Sequence, residues 1–230
     1  MRDALRKEEV AGERLLARLR RVDPFWDAQL VLLAAILLQF SLSEKISVLH
    51  PPWVLPALEG VALISLAIAS PHPRLRHTPL RRRLSMAVVG LVSLVNMASL
   101  VLLINELLKR NRATGPALLG SGLVLWVTNV LLFGVWYWQL DRGGPLARAG
   151  DDPGFPDFLF VQMSAPEHAP PNWKPRLIDY LYTSFTNATA FSPTDTMPLT
   201  PWAKTLMTVQ SLTALGTIGL VVARAVNILT

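Results

Sequence analysis

The 230-residue chain contains no cysteine, which excludes disulfides, thiolate metal sites and cysteine nucleophiles. Charge is scarce. Only 17% of residues are Asp, Glu, Lys or Arg, against about a quarter in soluble domains, which argues against a water-soluble enzyme. The four histidines, His50, His72, His77 and His168, are scattered without the spacing of metal ligands. No His-Glu-x-x-His helix, glycine-rich phosphate loop or Gly-x-Ser-x-Gly elbow occurs. A nucleophile–base pair or metal set therefore cannot be assembled, and neither enzymatic activity nor a cofactor is expected. Lys and Arg form no stripe interleaved with aromatics, so nucleic acid is not an expected partner. Internal repeats are lacking, which argues against a duplicated transporter architecture.

Apolar residues dominate instead. They make up 51% of the chain, with a mean hydropathy of +0.37, which excludes intrinsic disorder. A helix crossing the hydrocarbon core needs about 20 apolar residues, because lipid offers no partner to free backbone groups. Five runs have that character: about Ala28 to Ser43, Trp53 to Ser70, Met86 to Leu108, Pro116 to Leu140 and Pro201 to Leu229. A charge-rich segment precedes the first run and no small-residue cleavage site follows it, unlike a signal peptide. The expected class is an all-α integral membrane protein with five transmembrane helices.

The connecting segments indicate orientation. In residues 1–26, Leu15, Leu16, Leu19 and Val22 share a helical face while Arg14, Arg18, Arg20 and Arg21 crowd the remainder. That pattern suits a basic amphipathic helix on an anionic lipid surface, or a solvated tail that only sets orientation. The positively charged residues outside the runs number 7 in this tail, 1, 5 and 3 in the next three connections, and 4 in the long loop before the last run. Alternate segments share a side, so the positive-inside rule places the N-terminus and the long loop in the cytoplasm.

Residues 141–176 carry Gly143-Gly144 and seven prolines and read as a loop outside the bilayer, with a short apolar patch at Phe158–Val161 that is interfacial or docked on helices. Residues 177–186 form about three turns of amphipathic helix, far too short to cross. A hydroxyl-rich stretch and a long apolar helix follow, which is the order of a re-entrant pore loop. The run Leu181-Tyr-Thr-Ser-Phe-Thr-Asn-Ala-Thr-Ala-Phe-Ser-Pro-Thr-Asp-Thr-Met-Pro-Leu-Thr-Pro-Trp-Ala-Lys204 resembles the pore helix, filter and post-filter turn of tetrameric potassium channels. On that frame Thr189 and Ala190 fall on the paired threonines, Phe191 on the valine, and Ser192, Pro193 and Thr194 on Gly-Tyr-Gly. Asp195, Pro198 and Trp202 match outright. The whole chain also resembles an uncharacterised family of bacterial inner-membrane proteins with four spans, a loop and a final span, which implies that location.

The departures shape the expectation. Potassium filters use rings of backbone carbonyls, and their glycines permit backbone conformations that Ser192 and Thr194 resist, while Pro193 restricts Ser192 further. The resemblance implies a homotetramer with a degenerate filter lined by Thr186, Asn187, Thr189, Ala190, Phe191, Ser192, Pro193, Thr194 and Asp195. It implies passive conduction of monovalent cations without the familiar potassium selectivity. The same hydroxyls and Asp195 also suit a helix cap and turn. The domain order implied is a surface helix (1–26), a peripheral three-helix domain (27–112) and a pore-like module (113–230). The module comprises an outer helix 116–140, the loop 141–176, a pore helix 177–186, a filter-like segment 187–200 and an inner helix 201–229. Gly216 and Gly219 are its candidate packing or hinge positions. The first three spans lack the regular arginines of a voltage sensor. With the loop cytoplasmic, the hairpin would be inverted relative to potassium channels.

Two alternatives stay open. One is a non-conducting scaffold or sensor that kept the fold; the other is a small ion-coupled transporter using Glu59, an acid inside the second span. Glu59 also suits an interhelical hydrogen bond, as do Asn96 and Asn129. Glu106 has Lys109 and Arg110 within about one turn, which suits a salt-bridged interface. Trp136-Tyr137-Trp138 reads as an interfacial belt.

Overall fold

The computed structural model describes the chain apart from residues 1–25, 43, 70–78, 109–114, 149–153, 172, 190–194 and 230. The expected N-terminal surface helix lies outside the described residues. The rest is mostly helical: α1 Trp26–Gln39, α2 Val54–Ala69, α3 Pro79–Leu108, α4 Gly115–Leu140, the single turns α5 Pro145–Arg148 and α6 Val161–Ser164, α7 Leu177–Thr189 and α8 Pro201–Leu229. Two short strands, β1 Phe158–Leu159 and β2 Met197–Pro198, pair antiparallel.

Local chemistry sets several boundaries. Proline opens α3 and α8, where its missing N–H belongs to the helix's unpaired first turn. Thr200 caps α8 by accepting the Ala203 N–H at 3.3 Å. At the start of α7, Asp179 reaches back to the Arg176 N–H at 2.6 Å, half of a capping box.

Three helices, Arg82–Glu106, Leu119–Gly143 and Pro201–Ala223, are long and apolar enough to cross a membrane. This is a membrane protein. The other two expected spans are shorter: α1 has 14 residues and α2 has 16, about 21 and 24 Å against about 30 Å of hydrocarbon. The first run ends early because the backbone turns at Leu38–Leu42, with Ser41 Oγ donating to Leu38 O at 2.6 Å. The third starts at Pro79 rather than Met86, which brings Arg81–Arg83 into its first turns.

α4 is the central element, contacting α1, α3, α7 and α8. Ala28, Leu32, Ala35 and Ile36 of α1 join Val88, Val89 and Val92 of α3 and Leu132 and Val135 of α4 in the main core. The described part of the proline-rich segment packs against the helices. Its apolar patch docks, with Phe158 and Phe160 buried in that same core. The aromatic trio does not form an exposed belt. Tyr137 and Trp138 are buried, and Trp136 Nε1 donates to Ser93 on α3 at 3.0 Å.

α7 lies antiparallel to α4 and beside α8. It starts next to Asp141, just beyond the end of α4, and Ala188 in its last turn packs with Val130 of α4 and Ala214 of α8. Val130 is ten residues before Leu140, about 15 Å along the helix axis. β2 then returns to β1 at the starting end, through Phe158↔Pro198 and Leu159↔Met197. Both ends of the α7 hairpin are therefore at the same end of α4.

The α4–α7 contact depends on Gly134. A Cβ there would meet Leu181 Cδ2 at 2.6 Å and the Leu181 Cα at 3.0 Å. Gly134→Ala is expected to cost about 1–3 kcal/mol and to lower the thermal midpoint in detergent. Gly120→Ala, whose Cβ meets nothing within 4 Å, is expected to leave it unchanged. Equal effects at both positions would contradict the close approach.

Candidate functional site

The α7 hairpin is fastened in two polar layers. The deeper one centres on Gln210 of α8, which is fully buried. Its Nε2 donates to Ser184 O at 2.9 Å and to Ser184 Oγ at 2.6 Å. Its Oε1 accepts from Tyr137 OH at 2.5 Å and from Asn187 Nδ2 at 2.8 Å. Asn187 Nδ2 also donates to Met207 O at 2.9 Å, and Ser211 Oγ donates to Asn187 Oδ1 at 3.0 Å. Ser184 Oγ donates to Val130 O at 2.7 Å. One glutamine thus joins α4, α7 and α8, and both ends of its amide are satisfied, as burial demands.

The second layer lies at the mouth of the hairpin and centres on Asp141. Its Oδ2 accepts from Tyr180 OH at 2.5 Å and its Oδ1 from the Asp157 N–H at 2.8 Å. Asp157 accepts from the Arg142 N–H at 2.8 Å and from Thr200 Oγ1 at 2.7 Å. Arg148 Nη1 donates to the carbonyls of Trp138, in the last turn of α4, and Asp141, just beyond it, each at 2.7 Å. Its guanidinium stands 5.2 Å from the centre of the Tyr180 ring. Burial lowers the pKa of Arg148, with Tyr180 and Asp141 acting in the opposite direction. Phe158 and Phe160 pack edge-on against Tyr180 at 6.2 and 5.1 Å between ring centres.

The faces of α7 are inverted relative to a water-exposed helix. Tyr180, Thr183, Ser184 and Thr186 are buried, whereas Ile178, Tyr182 and Phe185 are exposed. On α8, Val209, Leu212, Leu215 and Val222 are likewise exposed. Such a surface suits lipid or another protein chain.

The residues expected to line a pore occupy several settings. α7 extends three residues past 186, so Thr186, Asn187 and Thr189 are helical. Thr186 Oγ1 and Thr189 Oγ1 donate to carbonyls of their own helix, at 3.0 Å to Tyr182 O and 2.8 Å to Thr186 O. Ala190, Phe191, Ser192, Pro193 and Thr194 lie outside the described residues. Asp195 is exposed where the chain resumes. Gly216 and Gly219 lie on exposed α8 surface, with nothing within 4 Å of an added Cβ. Glu59 sits apart, buried between α2 and α1, where its Oε2 accepts from Gln39 Nε2 at 2.8 Å. Asn96 Oδ1 and Asn129 Nδ2 have no hydrogen-bond partner among the described residues, so these atoms do not make the interhelical bonds expected of them.

The residues that organise the site, Gln210, Tyr137, Ser184, Tyr180, Asp141 and Asp157, are not singled out by any motif. A signal exists nonetheless: Gln210 is an amide within a helix otherwise made of apolar and hydroxyl residues from Thr205 to Val222, and Tyr180, Thr183, Ser184 and Asn187 recur at helical spacing. Among the described residues, no group of three or more His, Asp or Glu is placed to hold a metal. No family model, curated protein or solved structure matches the chain.

Gln210→Leu is expected to destabilise the fold by about 1–3 kcal/mol, because Ser184, Asn187 and Tyr137 lose a buried partner. Combined with Ser184→Ala in a double-mutant cycle of thermal or denaturant unfolding, it should show a coupling of about 0.5 kcal/mol or more. Additive losses would contradict the network.

Proposed function

We propose that the chain is one subunit of a homotetrameric cation pathway, with the α7 hairpin re-entering the membrane halfway and α8 facing a central axis. The observation that carries this reading is the depth and direction of α7. Its 13 residues span about 20 Å, it stops beside Val130, and the chain comes back to where it started. One such hairpin cannot enclose a hole, so the pathway needs copies related by cyclic symmetry.

The electrostatics favour cations. Unpaired carbonyls give a helix C-terminus a partial negative charge, and α7 directs that end towards the interior of the assembly. Asp195, repeated around the axis, adds a ring of carboxylates at one mouth. Thr186, Asn187 and Thr189 are occupied by bonds within the chain, so the constriction is assigned to the segment from Ala190 through Asp195. The exposed apolar faces of α7 and α8 supply the surface for neighbouring copies, and α1–α3 form a peripheral domain. Without the glycines of a potassium filter, the pathway is hydrated and weakly selective.

Purified protein in liposomes should pass sodium and potassium in preference to chloride, without needing a proton gradient, and its particle mass should be that of four chains. Asp195→Asn should lower the cation-to-anion permeability ratio while leaving the particle mass unchanged. A monomer overturns the axial pathway. Flux only under a proton gradient would favour the Glu59 transporter, and a tetramer without flux would favour the scaffold.

A further inference from the structure

Beside the Asp141 layer is a cavity of about 480 Å³, lined among others by Trp138, Arg142, Arg148, Met163, Trp173 and Lys174. Among the described residues its lining contains three cationic side chains and no carboxylate. Two described acids lie beside it, and both are engaged. All four oxygens of Asp141 and Asp157 accept hydrogen bonds from Tyr180, Thr200 and the backbone N–H groups of Asp157 and Arg142. Asp141 is also 3.9 Å from Arg148. Against these two carboxylates, three cationic side chains leave positive charge in excess among the described residues at the cavity.

Arg142 is the most informative residue here. Its φ of 51° lies in the left-handed region, a conformation that costs a non-glycine residue free energy and that persists where surrounding contacts impose it. Gly143 and Gly144 follow with φ of 75° and 101°, so the chain turns sharply after α4 and presents Arg142 to the cavity. There, among the described residues, its Nη2 reaches a weak acceptor, Met163 Sδ at 3.5 Å. A guanidinium nitrogen with so weak an acceptor is under-satisfied, and an anion in the cavity would accept from it. Trp138, Trp173 and Met163 give the same cavity apolar and aromatic lining, with the Arg148 guanidinium 5.7 Å from the centre of the Trp138 ring.

Guanidinium groups recognise phosphate through paired N–H donors, and lysine adds a point charge. The volume is within the range of small-molecule sites. We propose that this cavity binds a phosphate-bearing anion, held by Arg142, Lys174 and Arg148, whose apolar or planar remainder lies against Trp138, Trp173 and Met163. The site belongs to a single chain and is independent of whether the axis conducts. The phosphate has two possible sources, the headgroup of an anionic phospholipid and a soluble phosphate ester.

The test uses the full chain in neutral detergent and reads the thermal midpoint against added probe. The probes are dihexanoyl-phosphatidylglycerol, dihexanoyl-phosphatidylcholine as a zwitterionic control with the same acyl chains, and glycerol 3-phosphate. The expected result is a saturable rise in the midpoint with an anionic probe and none with the choline lipid. A rise with the glycerol lipid alone identifies the headgroup as the source; an equal rise with glycerol 3-phosphate identifies the soluble ester. Lys174→Gln, at an exposed position, should raise the half-saturating concentration about tenfold, equivalent to one charge-assisted contact. Arg142→Asn should do the same, because asparagine tolerates the left-handed backbone. Equal shifts with both lipids, no shift with any probe, or wild-type half-saturation in both variants would overturn the proposal.

Discussion

Backbone polar groups in lipid have no water to turn to, and the whole arrangement depends on how α7 meets that constraint. A helix that crosses satisfies its groups internally along its length. In the proposed half-inserted arrangement α7 leaves a polar end and a returning strand that protein must cover, and α4 and α8 supply the cover. Gln210, Ser184, Asn187 and Tyr137 bind the deep end, while Asp141, Asp157 and Tyr180 bind the shallow one. Between them, Gly134 lets α7 approach α4 at backbone distance. The polar side of α7 is consumed inside the subunit, and its apolar side faces outwards.

That division has consequences for the proposed assembly. Side chains that hold the hairpin are not available to a permeating ion, so anchoring and lining fall to different residues. Asn187 and Gln210 act as anchors; Asp195, exposed at the start of the segment that follows residue 194, is available to act electrostatically. Glu59 and Gln39 form a separate pair within the peripheral helices, in the hydrogen-bonded role that an acid between two helices ordinarily takes.

Much of this was legible from residue order, for reasons that differ between elements. Long apolar runs report membrane helices directly, so α3, α4 and α8 follow from composition alone, and the α7 amphipathic pattern marks a helix too short to cross. The ends were less legible. α1 stops at Gln39 because its backbone turns where Ser41 competes for a last-turn carbonyl, and α3 starts early because arginines are good helix formers once Pro79 opens the first turn. The aromatic trio at 136–138 has the composition of an interfacial belt, yet tertiary packing by Phe158 and α8 buries two of its members. The hub at Gln210 depends on three helices meeting, which no local pattern encodes. The resemblance to potassium channels drew attention to residues 186–195, whereas the hydrogen bonds that position them originate in α4 and α8.

The sidedness of the hairpin is the most direct measurement of the central claim, and the absence of native cysteine makes it simple. Single cysteines at the exposed positions Glu167, Met197 and His50 can be labelled in sealed vesicles with a membrane-impermeant maleimide. If α7 descends and returns, positions 167 and 197 react from the same side; position 50 reports separately on whether α1 and α2 cross. Labelling of 167 and 197 from opposite sides would mean that the segment crosses the bilayer, and the account of a half-inserted hairpin would be wrong.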